Sequence, residues 1–478
     1  MIWSTRLMKN FTPALLKKLK QRWKLILVLV AVLFKGLAWA IITPPWQTPD
    51  EPSHYAHVQY LAVEGRMPLA GDEADSEEEH ASLLWSEINR IAFHAEQQSL
   101  FSKDYAIAYN QLVQKKLNTD SSGVMPSGGY PPLYYILNIL PYYLGGQSIL
   151  YKLFAMRVLS VILELLLVYF IYLSGNLIRN ESLGLAAATM VGFHPELSMI
   201  FSSVNNDVLV DLMGGILFYE LLRFQNVEPS WKTASIAAIT MGMALLSKAE
   251  AWPLVGVFWI CLFIGWLKTY KDWTYASLAL AVGVLIYSPW AIFSWIHYHS
   301  LIGSDDMNAF CGPFFPNFFQ FAKQEIRRWH TLWVVQFFAD FGWLDTVVSK
   351  IWYLVLSIME VVIGIGTASI LLAYHMGQKT LRPIVEPIYK SLSFIVPMLA
   401  FLYYIDWVSI RQYHQFILQG RHLLPVIGPI TILILLVFDG ITGQRYSKQI
   451  FSSFAIFMVV FNVASLLTII FRYYGVTI

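Results

Sequence analysis

An all-α, polytopic transmembrane helical bundle is the fold class this sequence predicts, and three observations predict it. The 478 residues are 56% hydrophobic and 13% charged, and their mean hydropathy is +0.53, far more apolar than a soluble domain. Apolar stretches near the roughly 20 residues that a helix needs to cross hydrocarbon recur along the whole chain. Aromatic residues make up 15%, including 17 Trp and 26 Tyr, which suits a protein that anchors rings at both bilayer surfaces. A net charge of +2 gives no sign of a nucleic-acid partner. Cys261, inside an apolar span, and Cys311, in a long loop, are not expected to pair.

In chain order the predicted spans are Leu25–Thr43, Met156–Ile178, Leu183–Ser202, Val208–Phe224, Ala234–Leu246 and Ala251–Leu267, followed by Thr274–Ile296, Ile351–Tyr374, Leu392–Trp407, His422–Phe438 and Ile450–Phe471. That is about eleven spans by the 20-residue rule. The first is expected to remain as a span, because no small-residue cleavage site follows it. Pro131–Leu144 is apolar but short, opens with Pro131-Pro132 and carries Pro141, so it reads as interfacial.

Charges in the short connectors orient the bundle. Lys9, Lys17, Lys18, Lys20, Arg22 and Lys24 form a basic arm over residues 1–24. Arg179, Arg223, Lys232, Lys268, Lys271, Lys379, Arg382, Lys390, Arg445 and Lys448 fall on the same side, against only Lys248, Arg411 and Arg421 on the other. Lys and Arg are retained in the cytoplasm, so the N-terminus is expected there, in a plasma (inner) membrane. The alternation works only if Pro131–Leu144 does not cross. Residues 25–478 then form a single membrane domain with two long outside loops, about 44–157 and 297–350.

The first loop carries the acidic run Asp72, Glu73, Asp75, Glu77, Glu78 and Glu79, then a helical-looking stretch, Ala81–Leu117. The acids read as the solvated start of a helix, with a metal or cation site as the alternative. The second loop holds Phe310–Phe321, Trp329, Trp333, Phe337, Phe338, Phe341 and Trp343, which reads as a helix in the membrane interface. A sugar- or lipid-binding groove is the alternative.

Chemistry points to the end of the first span. Asp50 and Glu51 stand in Thr48-Pro-Asp-Glu-Pro-Ser-His54, where an ionisable pair at the membrane boundary is costly unless it has a use. Pro49 and Pro52 fix their own φ and restrict their neighbours. That rigidity suits a general base or a divalent-cation site, whereas the plain structural reading makes Asp50 a helix N-cap. His54 and His57 follow on a short amphipathic helix. Asn205, Asn206 and Asp207 end the third span, and again an N-cap is the plain alternative. Asp211 lies one turn deeper and is expected to face the bundle interior. Lys248, Glu250 and Arg421 complete a charged set at the same boundary. A fixed Arg at a helix start can grip phosphate bidentately, while snorkelling is the plain reading of both cations.

Read in order, these residues resemble a known family. The acid pair is followed by Tyr130-Pro-Pro-Leu-Tyr-Tyr135, Arg157-Val-Leu-Ser160, Phe193-His-Pro195, Ser203-Val-Asn-Asn-Asp207, Phe341-Gly-Trp-Leu-Asp345 and Gly420-Arg-His-Leu-Leu-Pro425. The chain resembles an uncharacterised bacterial membrane family related to GT-C glycosyltransferases, whose relatives include protein O-mannosyltransferases and the lipid A aminoarabinose transferase. That resemblance implies a GT-C-like bundle that moves a sugar from a polyprenyl-phosphate donor to a glycan, lipid or protein acceptor at the outer face, in cell-surface glycan synthesis. It implies Asp50, Glu51 and Asp207 as catalytic acids, with Arg421 on the donor phosphate. His54, His57, Asn206, Lys248 and Asp345 are the further candidate substrate-binding residues. No Asp-X-Asp surrounds Asp50 or Asp207, so a metal requirement is not carried over and a divalent cation stays an open alternative. The rival readings are a flippase for a lipid-linked glycan, with Glu164, Asp211 and Glu360 as mid-span acids, and a non-catalytic scaffold of a polysaccharide assembly complex.

Overall fold

The computed structural model describes residues 2–69, 72–97, 121–124, 126–225, 227–303, 318–413 and 416–475. The basic arm and the first span form one helix, Ile2–Ile42. Each predicted span coincides with helical structure. Among the described residues, eight helices are long and apolar enough to cross a membrane: Arg22–Ile42, Ile149–Ile178, Ala251–Tyr270, Thr274–Tyr298, Lys350–His375, Lys379–Arg411, Gly420–Ile441 and Ser447–Tyr474.

Three expected spans fall outside that set for identifiable reasons. Leu183–Ser202 is broken into Glu181–Gly192 and Pro195–Phe201, because Pro195 cannot donate to the preceding turn. Asp207–Phe224 carries Asp207, Asp211, Glu220 and Arg223 in its 18 residues, and Trp231–Leu245 has only 15. These elements are nevertheless the centre of the molecule. Gly175 and Gly184 let helices Ile149–Ile178 and Glu181–Gly192 touch backbone to backbone, since a Cβ on Gly175 would lie 2.7 Å from the Gly184 Cα. The outward faces of the longer helices expose Leu27, Phe34, Leu285, Ile292, Ile365 and Ile456, as hydrocarbon contact requires.

Leu133–Leu144 is a 12-residue helix with Pro141 inside it, too short to cross, as expected. It packs between helix Glu51–Glu64 and helix Ile149–Ile178. The first long loop differs from its expectation. In place of one helix over Ala81–Leu117 there are Glu77–Trp85 and Ile88–Ile91, separated at Glu87, whose φ of 52° ends the first; residues 98–117 lie outside the described ones. The acidic run does start a helix, with Ser76 accepting from the Glu79 N–H at 3.1 Å. It is not solvated throughout, however, because Glu78 and Glu79 are buried and Glu78 accepts from Lys152 Nζ at 3.1 Å. Strand Glu73–Ser76 pairs antiparallel with Ser121–Val124. In the second loop, Phe318–His330 is helical as expected and runs into a wide π-type turn, Thr331–Gln336, while Phe310–Asn317 and Cys311 lie outside the described residues. Asp340–Phe341 pairs antiparallel with Thr346–Val347 to close that loop.

Deep inside the bundle, Lys35 donates to Glu164 at 2.5 Å and to Ser198 at 3.0 Å, and Asn462 bridges Ser198 and Trp39. Glu164 is therefore neutralised by a cation of the first span. Of the other mid-span acids, Glu360 accepts from the Trp329 indole at 2.5 Å.

Candidate active site

The turn Thr43–Asp50 brings the acid pair back over the bundle, and the two acids face different ways. Asp50 has φ 59° and ψ 4°, a left-handed conformation that Asp tolerates better than most residues. It occupies the N-cap position of helix Glu51–Glu64 yet its side chain makes no capping bond. The carboxylate is free to accept from Arg421 Nη2 instead.

Glu51 is fully buried. Its Oε1 accepts from Arg157 Nε at 2.8 Å and the Val204 N–H at 3.1 Å. Its Oε2 accepts from Arg157 Nη2 at 2.5 Å and the Trp46 N–H at 3.1 Å. Arg157 also donates to the carbonyls of Ala40, Thr43 and Pro44 at 2.9, 2.8 and 3.1 Å. With both oxygens occupied, Glu51 does not join Asp50 as a second reactive acid; it is a bolt between the first span, the acid turn and helix Ile149–Ile178. The sequence placed Arg157 only at a span boundary, and its partners become visible only in three dimensions.

A second turn, Ser202–Asn206, is stitched to the first. Asn205 Nδ2 donates to the Pro49 carbonyl at 3.2 Å, and the Asn205 N–H donates to Tyr134 Oη at 2.9 Å. Asn205, rather than Asn206, serves the helix start, accepting from the Asp207 N–H at 2.9 Å. The Asn206 amide is buried, and neither its oxygen nor its nitrogen has a hydrogen-bond partner.

Asp207 is the hub. Its Oδ1 accepts from Lys248 Nζ at 2.5 Å, and its Oδ2 lies 3.7 Å from Arg421 Nε. Lys248 also contacts Glu250 at 3.2 Å. Thus Asp50, Asp207, Lys248 and Arg421 form one cluster, reached from four separate parts of the chain. Asp50 is its open edge, with 48% of the side chain exposed against 7% for Arg421 and 6% for Asp207. Arg421 keeps Nε and Nη1 without a hydrogen-bond partner. Asp211, one turn below, is buried with both carboxylate oxygens unpartnered.

Charges set the protonation states. Desolvation by the surrounding protein would raise the Asp50 carboxyl, but Arg421 and His54 hold it below the usual carboxylate range. Asp207 is likewise held low against its burial by Lys248 and Arg421. Burial would discharge Lys248, but Asp207 and Glu250 keep it firmly protonated. Burial pushes Glu250 up despite Lys248.

The histidines form the wall behind Asp50. His54 Nδ1 meets Tyr135 Oη at 2.9 Å, and its ring lies between those of Tyr130 and Tyr135 at 6.0 and 5.9 Å. Burial lowers it to about 4, so it is neutral at pH 7. His57 stacks on Tyr135 at 3.5 Å and bonds to the Ser127 carbonyl at 2.9 Å. It supports the wall and is likewise neutral, lowered by burial to about 3. Asp345 is not brought into the cluster. It accepts from the Phe93 N–H at 3.1 Å and Thr346 Oγ1 at 2.8 Å, with Arg472 at 3.9 Å, and so anchors loops.

Two glycines seat Arg421. Gly214 lies against the Pro425 carbonyl, and Gly420 against the backbone of Leu332 and Phe337, with no room for a Cβ at either. The Gly420 N–H donates to Gln336 Oε1 at 3.1 Å. Among the described residues, no group of three or more His, Cys, Asp or Glu side chains is placed to hold a metal ion. The carboxylates of Asp50 and Asp207 face Arg421 and Lys248 rather than a shared gap, so these residues do not fit a divalent cation in the arrangement described.

The family described as "Predicted membrane protein (DUF2142)" matches residues 33–431. The chain belongs to this family. No curated protein sequence matches this DUF2142 member. Among solved structures, its fold is similar to that of ArnT from Cupriavidus metallidurans in the apo state, with a TM-score of 0.50 and 11% identity over 94% of this chain and 77% of that one. ArnT from the same organism bound to undecaprenyl phosphate gives a TM-score of 0.42 and 11% identity, over 93% and 76%. The Archaeoglobus fulgidus oligosaccharyltransferase in complex with zinc and sulfate gives 0.47 and 13%, over 94% of this chain but 53% of that one. The DUF2142 chain therefore spans about half the length of that oligosaccharyltransferase. The likeness is one of fold: this is a GT-C-like membrane bundle.

Proposed function

We propose that this protein is an integral-membrane glycosyltransferase that moves a sugar from a polyprenyl-phosphate-linked donor to an acceptor hydroxyl in cell-surface glycan synthesis. The observation that carries the reading is Arg421, a buried guanidinium tied to Asp50 and near Asp207 with Nε and Nη1 still without hydrogen-bond partners. Buried donors left unpaired cost free energy, and a phosphate oxygen would satisfy them. The unpaired Asn206 amide offers further bonds to a polar ligand. ArnT of Cupriavidus metallidurans binds undecaprenyl phosphate, which accords with that choice of ligand.

In the proposed reaction Asp50 takes the proton of the acceptor hydroxyl, whose oxygen forms a bond to the anomeric carbon. The bond from that carbon to the phosphate oxygen breaks, and polyprenyl phosphate leaves with the electron pair. Arg421 and Lys248 stabilise the charge that builds on the phosphate. Binding and catalysis are linked: a phosphate on Arg421 relaxes the pairing that holds Asp50 low, so the carboxylate becomes a stronger base once donor is present. Asp207 positions both cations. Glu51, with both oxygens committed to Arg157 and two backbone N–H groups, holds the turn. The site is assigned to the extracytoplasmic end, opposite the basic connectors.

Reconstituted protein offered a panel of polyprenyl-phosphate sugars with acceptor extracts is the test. Release of polyprenyl phosphate that disappears in Asp50→Asn supports the proposal. Movement of an intact lipid-linked glycan across the bilayer without turnover would establish the flippase reading instead.

A further inference from the structure

Helix Phe318–His330 touches the bundle along one side and the edge next to it, where Phe318 lies 5.9 Å from the Trp407 ring and the Trp329 indole donates to Glu360. At about 100° per residue, Phe321, Glu325 and Arg328 share the protein-facing side. Phe321 packs on the Trp407 ring at 5.1 Å. Arg328 donates to Glu325 at 2.7 Å, to Asp406 at 3.0 Å and to the Leu418 carbonyl at 3.0 Å. The next arc carries Phe318, Phe319, Ile326 and Trp329, with Phe319 84% and Ile326 74% exposed. The third arc carries Lys323, Arg327 and His330, all exposed. The helix's one acid, Glu325, is buried on the protein side, so the outward polar arc, which also carries the exposed Gln320, holds basic residues and no acid.

We propose that this helix docks on the phosphate surface of an anionic bilayer, with its apolar arc in the acyl boundary and its basic arc on the headgroups, and that Arg328 ties the strap carrying Arg421 to that surface. An apolar arc beside a basic one is what an interfacial helix needs, and its charge complements anionic lipid. The bilayer is also within reach, because the helix rests on Asp406 and Trp407 of the spanning helix Lys379–Arg411.

The strap is residues 416–421. Phe416 lies under the Arg328 guanidinium at 4.0 Å. The N–H groups of Ile417 and Leu418 donate to Asp406 Oδ1 at 2.7 and 2.8 Å. Gly420 bonds to Gln336 in the turn that continues the helix, and Arg421 follows. Lipid contact on one side of the helix is thereby passed to the buried arginine on the other. This inference does not depend on the transferase reading.

The test uses the full chain with Cys261→Ser and Cys311→Ser, carrying a nitroxide at Phe319→Cys or Arg327→Cys, in phosphatidylcholine vesicles with and without phosphatidylglycerol. The label at 319 is expected to be relaxed by oxygen and shielded from an aqueous nickel chelate, and the label at 327 to behave in the reverse way. Phosphatidylglycerol should draw the 319 label deeper, and the double change Lys323→Gln with Arg327→Gln should remove that shift. Hydrogen exchange of the 416–421 amides should slow several-fold with phosphatidylglycerol, and Arg328→Gln should abolish the slowing while leaving the 319 depth unchanged. A 319 label open to nickel, shielded from both reagents or indifferent to phosphatidylglycerol overturns the docking. Exchange in the native protein that ignores phosphatidylglycerol overturns the coupling.

Discussion

Adjacent acids with opposite duties should separate cleanly under the mildest available substitutions. In Glu51→Gln an amide nitrogen must replace one carboxylate oxygen. At Oε1 its hydrogens would face Arg157 Nε and the Val204 N–H; at Oε2 they would face Arg157 Nη2 and the Trp46 N–H. Either way two hydrogen bonds are lost, and the Arg157 charge stays buried without its counter-ion. Breaking such a pair from one side costs about 3–5 kcal/mol. In Asp50→Asn the left-handed backbone is kept, since Asn tolerates it as well as Asp. The lost partner is half exposed, so the stability cost is about 1 kcal/mol. Heating the detergent-solubilised protein and following the folded fraction should therefore show Glu51→Gln melting well below the native protein and Asp50→Asn close to it. Donor turnover should vanish in Asp50→Asn. If Glu51→Gln resists heat like the native chain, or Asp50→Asn is the unstable one, the division of labour between the two acids is wrong.

Three further outcomes follow from the same geometry. Arg421→Lys keeps the charge but not the fork that serves Asp50, Asp207 and a ligand together, so it should reduce turnover at least ~100-fold while the protein stays folded; native-like turnover would show that a point charge suffices. Gly420→Ala forces a Cβ into the backbone of Leu332 and Phe337 and should cost about 1–3 kcal/mol by overpacking, with loss of activity; an unaltered melting profile would place the strap elsewhere. His54 is lowered by burial to about 4, so between about pH 6.5 and pH 4 the unfolded chain binds a proton that the folded one does not. Stability should thus fall as pH drops through that window, by about 3 kcal/mol from this residue at pH 4. In His54→Gln the fall should be correspondingly shallower, and melting measured across that range checks it.

Much of the architecture was legible because lipid imposes a simple code. Apolar length located the helices, and Pro141 and the brevity of its segment marked Leu133–Leu144 as non-crossing. The span count was less secure where helices face protein instead of lipid. In Asp207–Phe224 the first acid is met by Lys248 and Arg421, and Glu220 accepts from Thr240 Oγ1 at 2.9 Å; no pattern along the chain announces those partners. The same reason explains the site. Boundary position singled out Asp50, Asp207, Lys248 and Arg421, which the fold gathers together. It could not distinguish Asp50 from Glu51, because the difference lies in the φ of 59° at Asp50 and in Arg157, 106 positions from Glu51. Asp345 carried a similar boundary signal yet serves Phe93 and Thr346. Lys35 gave no signal as a lone Lys in an apolar span; only its contact with Glu164 explains it.

The central claim is that the spare donors of Arg421 receive a polyprenyl phosphate. Native mass spectrometry of the protein in detergent with added undecaprenyl phosphate tests it without knowing the sugar or the acceptor. The native chain should retain one lipid phosphate, and Arg421→Gln, folded to the same extent, should lose it. Equal retention by both proteins would contradict the account.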